Sequence, residues 1–173
     1  HDTVYVTANP FFHKIDQDVF YTIRSTLENP ATGGAGMEVG IHHVHPERVM
    51  ELAQKTHAEY PDKRLIVHFL QPHQPFIGEK ADQIRQAIDE DALAERVPDR
   101  KGDYISHTFV EDGTISIDEF REMYTETLEY VLDYAQELHD SLPGKSVITA
   151  DHGELLGERY LGKRRWGHGR EYE

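Results

Sequence analysis

The spacing of apolar positions changes period several times along the chain, and each change marks an element. Asp2 to Ala8, D-T-V-Y-V-T-A, interleaves β-branched and aromatic residues and predicts a core strand that Asn9-Pro10 stops. Residues 11 to 45 carry Phe11, Phe12, Phe20 and Tyr21 but also the run Thr32-Gly33-Gly34-Ala35-Gly36. They predict a loop-rich excursion with a short helix or strand around Val19 to Leu27. Pro46 suits a first helical position, and Val49, Leu52 and Ala53 form a stripe over Glu47 to Tyr60, so a helix is expected there, ended by Pro61-Asp62. Arg64 to Leu70 follows as a second strand.

From Glu79 to Arg96, the apolar residues Ile84, Ala87, Ile88 and Leu93 share one helical face. Val97 to Asp112 shows no period and contains Pro98 and Gly102, which reads as a surface insertion. Ser116-Ile117-Asp118-Glu119 is a capping box. It opens the longest helix, on which Phe120, Tyr124, Thr127, Val131, Tyr134 and Leu138 recur at helical spacing to face a core. Ser141-Leu142-Pro143-Gly144-Lys145 reads as its end, and Ser146 to Ala150, S-V-I-T-A, as a buried strand. Strand, helix, strand, helix, strand argues an α/β domain with a largely parallel sheet, and a length of 173 residues suits one domain.

Charge narrows the partners. With 32 acidic against 18 basic residues, the formal charge is −14, which disfavours nucleic acid or an anionic membrane as partners of a general surface field. Lys163, Arg164 and Arg165 nevertheless supply one local positive patch. Acidic excess without cysteine also fits a halophilic protein from a high-salt cytoplasm. No apolar run approaches the ~20 residues of a membrane span, and no signal peptide is visible, so a cytoplasmic location is favoured.

Candidate chemistry gathers after the predicted strand 146–150. Asp151 and His152 fall where ligands bind in open α/β sheets, and a carboxylate beside an imidazole suits a divalent ion such as Zn, Mn, Mg or Ca. Taken alone, the pair also suits a helix N-cap followed by an incidental histidine. His73 lies between Pro72 and Pro75, which restrict the backbone beyond the second strand, and His168 lies between Gly167 and Gly169 with Trp166 as an apolar wall. His68 reads as a satisfied core histidine. The run His42-His43-Val44-His45 has the look of a second metal tract but lies just before Pro46, where His45 reads as a helix cap, and Tyr124, Tyr130 and Tyr134 read as packing residues.

Several of these motifs together resemble the sulfatase branch of the alkaline phosphatase superfamily. They are Asp151-His152-Gly153-Glu154, Leu156-Gly157-Glu158, Trp166-Gly167-His168-Gly169, Tyr172-Glu173 and the earlier segment from His68 to Phe76, H-F-L-Q-P-H-Q-P-F. Gln71 stands where that family usually has Asp, and Arg159 where a His often follows L-G-E, which removes one substrate contact. The resemblance implies an alkaline phosphatase-like α/β fold, its largely parallel sheet sandwiched by helices, and a partial domain: residues 1–173 as a single sulfatase-like catalytic domain. It implies that Asp151 and His152 ligate one divalent metal ion, that His73 and His168 are catalytic, and that Lys163 binds the substrate.

In that family the nucleophile is a Cys or Ser converted to formylglycine, or a Thr or Ser, in the N-terminal half. This chain has no Cys, and Ser141 to Lys145 only approaches the serine signature. The sequence is therefore expected to be part of a longer enzyme, inactive alone. The implied activity is hydrolysis of small-molecule or glycan sulfate esters. Phosphate mono- or diester hydrolysis and phosphoalcohol transfer are alternatives within the same fold. A noncatalytic relative that binds a metal or anion is the alternative outside it.

Overall fold

The computed structural model describes residues 1–14, 16–27, 45–88 and 105–167. They form a mixed α/β protein with a three-stranded parallel sheet. The chain divides into two compact units, His1–His73 with Tyr130–Gly144, and Gln74–Glu129 with Lys145–Glu173.

In the first unit, β1 (Thr3–Thr7) is the middle strand of the order β2-β1-β3, with β2 spanning Thr22–Ser25 and β3 spanning Arg64–His68. The short helix or strand expected around Val19 to Leu27 is this β2, aligned parallel with Val4 beside Thr22, while Val4 also lies beside Leu65; residues 28–44 of the loop-rich excursion lie outside the described ones. Successive strand residues point to opposite faces, so the burial of Val4, Tyr5 and Val6 together means that β1 is covered on both faces. Helix α1 (Pro46–Glu59) places Val49, Met50 and Ala53 against them, with Ala8, Ile23, Leu27 and Leu138 completing the cluster. Burying each such aliphatic side chain is worth about 1.5–3 kcal/mol.

His45 caps α1 as expected, its Nδ1 accepting the Glu47 N–H at 3.4 Å. With Nδ1 accepting, the ring proton sits on Nε2, which donates to the Tyr130 hydroxyl at 3.1 Å, and that hydroxyl lies 3.3 Å from Tyr134 Oη. The Tyr130 hydrogen bond is the main reason that the Tyr134 hydroxyl is pushed up to about 12. The two tyrosines therefore pack and also extend the helix cap. His68 is satisfied too, its Nδ1 2.5 Å from Tyr5 Oη. The second strand ends at His68 rather than Leu70.

The second unit holds α2 (Glu79–Ala87), α3 (Thr108–Glu111), the first half of α4 (Ile117–Ser141) and a hairpin of β4 (Leu155–Tyr160) and β5 (Lys163–Gly167). The capping box forms in full: Glu119 N donates to Ser116 Oγ at 3.1 Å, and Ser116 N donates to Glu119 Oε2 at 2.8 Å. At the head of α2, Glu126 Oε2 accepts the Lys80 N–H at 2.9 Å, a carboxylate set on a helix N-terminus. Gly78 has φ +136°, and a Cβ there would lie 2.5 Å from that oxygen, so glycine lets the carboxylate approach.

Two expectations need correction here. Of the stretch Val97 to Asp112, residues 97–104 lie outside the described ones, and 105–112 are not a surface insertion, because Ile105 and Phe109 are fully buried in the cluster of Phe76, Ile84, Ile115, Phe120 and Met123. Its helix is a single turn, too short to show a period. The predicted strand Ser146 to Ala150 does not form. All five residues are exposed, Val147 to 86%, and among the described residues none pairs with another strand. No helix among the described residues is long and apolar enough to cross a membrane.

Candidate functional site

The exposed stretch 146–150 delivers Asp151 and His152 into a tight local arrangement. Asp151 Oδ1 accepts the His152 N–H at 3.0 Å, so the carboxylate is held over the following residue. His152 Nδ1 meets the Gly153 carbonyl at 3.1 Å. A carbonyl only accepts, so Nδ1 carries the proton and the neutral ring has its lone pair at Nε2. Nε2 faces Asp151 Oδ2 at 3.5 Å. Two donors each ~2.1 Å from one divalent ion stand about 3.0–3.4 Å apart at octahedral or tetrahedral angles. A carbonyl fixing the opposite ring nitrogen is the usual outer support of a histidine ligand.

Donor chemistry and separation thus fit two ligands of one cation. They do not complete a shell, since among the described residues no group of three His, Cys, Asp or Glu side chains could hold a metal. Both side chains are also open to solvent, at 66% for Asp151 and 48% for His152.

The rest of the motif is built into the second unit's core. Glu154 lies near Tyr124, whose hydroxyl is held above its usual range by burial first and by that carboxylate second. Gly157 sits at an irregularity in the ladder, between the pairs Leu156–Trp166 and Glu158–Arg165, with φ +84°. A Cβ on it would come within 2.7 Å of both Ile117 Cδ1 and the Trp166 ring. The glycine of L-G-E therefore has a packing reason, as a bulge that lets Trp166 close on the helix. Glu158 Oε2 accepts the Leu156 N–H at 2.6 Å, and Arg121 Nε donates to the Leu156 carbonyl at 3.1 Å.

Trp166 stacks on His107 with ring centroids 5.4 Å apart and meets Phe120 edge-on at 5.4 Å, while its Nε1 donates to Glu111 Oε1 at 3.1 Å. Its indole is thereby an anchor of the hairpin. Sequence reasoning missed His107, Glu111 and Arg121 as its supports; residues that act only through tertiary contact leave no local pattern.

Of the other predicted site residues, His73 closes the first unit, half-buried, its N–H donating to the Leu70 carbonyl at 3.1 Å. The peptide bonds Gln71–Pro72 and Gln74–Pro75 beside it are both cis. Lys163 opens β5 in the second unit, exposed and opposite Tyr160. His168 lies outside the described residues, as do His42 and His43. Asp151 and His152 are accordingly the pair whose mutual contact is described. Set against protein-family models, curated proteins and solved structures, the chain matches none.

Proposed function

We propose that this chain belongs to a divalent-metal-dependent hydrolase of sulfate esters with an alkaline phosphatase-like fold. The observation supporting the reading is the Asp151–His152 pair, whose Oδ2 and Nε2 stand 3.5 Å apart while Gly153 holds the ring proton on Nδ1. In that role Asp151 and His152 hold the ion, which when bound would supply positive charge for the nonbridging oxygens of the ester. His73 and His168 would move or share a proton at the leaving oxygen, and Lys163 would bind the substrate anion. The test is elemental analysis after equilibration with Ca, Mn or Zn. Asp151→Asn should retain less than about a tenth of the parent's metal, because an amide oxygen lacks the carboxylate charge. Equal metal in both proteins would end the reading.

A second reading, binding without turnover, is favoured by the solvent exposure of the pair. Hydrolysis of nitrophenyl sulfate and nitrophenyl phosphate by the longer enzyme that the first reading expects, each compared with its Asp151→Asn form, separates the two. It also tells sulfur from phosphorus.

A further inference from the structure

At the tip of the β4–β5 hairpin, Arg159-Tyr160-Leu161-Gly162-Lys163-Arg164-Arg165 carries four cations and no carboxylate, in a chain of formal charge −14. Arg159 stands directly opposite Arg164 in the ladder. Like charges so placed destabilise a strand pair. Among the described residues, no ion pair engages Arg159, Lys163 or Arg164. The turn itself is unusual in a second, independent way. Leu161 and Gly162 both have positive φ, 49° and 78°, as a two-residue type I′ hairpin turn requires. Asn, Asp or Gly takes the first of these positions with less strain than a branched apolar residue. Leu161 is nonetheless there, 86% exposed, beside Tyr160 at 55%.

An apolar residue in a strained backbone and in water has no reason within the folded unit, and outliers of this kind point to function. We infer that the hairpin tip docks on an anionic lipid surface, with Tyr160 and Leu161 entering the headgroup layer and Arg159, Lys163 and Arg164 meeting lipid phosphates. Cations around an apolar tip match a surface that is charged outside and apolar beneath. A dissolved polyanion would use the cations and leave Leu161 in water, so the tip favours the bilayer. The acidic body does not prevent the approach. Four residues of β4, at about 3.4 Å each, carry the tip about 14 Å beyond Leu156, which packs on the core with Trp166; Glu158, opposite Arg165, is the one carboxylate on β4, and salt screens charges beyond about 8 Å under physiological conditions.

The inference is independent of the proposed hydrolase activity and is tested by co-sedimentation of the full chain with vesicles of phosphatidylcholine alone or mixed with phosphatidylglycerol. Partition is expected onto the mixed vesicles, falling as salt rises, and little onto phosphatidylcholine alone. Leu161→Asn and Leu161→Gly suit the turn better than leucine, so each should melt no lower than the parent while binding about tenfold more weakly. Removing two charges with Arg159→Gln and Arg164→Gln should weaken partition by about five-fold per charge. No partition, equal partition onto both vesicle types, or binding by both Leu161 variants equal to the parent would overturn the inference. So would equal capture of parent and Leu161 variants by a sulfated polysaccharide or duplex DNA in place of vesicle binding, which would mark the tip as a polyanion site.

Discussion

Two five-residue runs of nearly the same chemistry, T-V-Y-V-T at Thr3–Thr7 and S-V-I-T-A at 146–150, meet opposite fates in one chain. In the first, Val4 and Val6 have no exposed surface; in the second, Val147 is 86% exposed and Ile148 49%. Composition cannot separate them. What differs is company, because β1 has β2 and β3 on its two edges and α1 against it, while 146–150 pairs with no strand among the described residues. A β-branched run is thus only a capacity to fill a pleated surface, and neighbours decide whether it is used.

The largest effect that tests this contrast is a buried charge. Val6→Asp should cost several kcal/mol, enough to threaten a fold whose total stability is of order 5–15 kcal/mol, whereas Val147→Asp should stay within about 0.5 kcal/mol. Urea denaturation followed by circular dichroism reads both. If Val147→Asp proves as damaging as Val6→Asp, then 146–150 is a buried strand after all, and the sequence pattern was the better guide.

Legibility in the sequence follows the same rule. Helices α1 and α4 and strands β1 and β3 could be read because each repeats its period several times or carries an end signal, Pro46 for one and the Ser116–Glu119 box for another. The one-turn α3 could not, although Phe109 lies at the centre of its core. Nor could the hairpin be read, because four cations around Leu161-Gly162 erase the apolar alternation that announces strands. At the candidate site, the Asp151–His152 contact was legible because the residues are adjacent. The packing reasons for Gly157 and Trp166 were not, since Ile117, Phe120, His107 and Glu111 reach them from elsewhere in the chain.

Gly157→Ala sharpens the contrast between exposed motif and packed motif at intermediate cost. The added methyl would press on Ile117 and Trp166 from 2.7 Å, at a φ that alanine avoids, so a loss of about 2–3 kcal/mol is expected. Metal content, on the other hand, should not change if the exposed Asp151–His152 pair acts locally. Thermal melting and elemental analysis on the same sample read the two quantities. Loss of metal without loss of stability would make L-G-E part of the metal site rather than part of the core.

A smaller loss than that at Gly157 is expected at the capping box, the second unit's most legible feature. The Ser116 backbone N–H and then the Ser116 hydroxyl hold the Glu119 carboxyl below its ordinary value of 4.5. A carboxyl whose folded pKa is depressed releases its proton more readily in the folded state, so the unfolded chain binds more protons as pH falls. Its contribution is therefore fully present above about 4.5 and fades as pH drops through the lower folded value. Glu119 is half-buried and its bonds are partly screened by water, so the cap as a whole is worth only about 0.5–1 kcal/mol. Glu119→Ala should lower the melting temperature by a few degrees at pH 7, and that gap should narrow steadily below pH 4.5. The test is a pair of melting curves taken across that range. A gap that stays constant down to pH 3 would assign the effect to lost packing of the side chain, and a gap that widens would reverse the sign of the linkage.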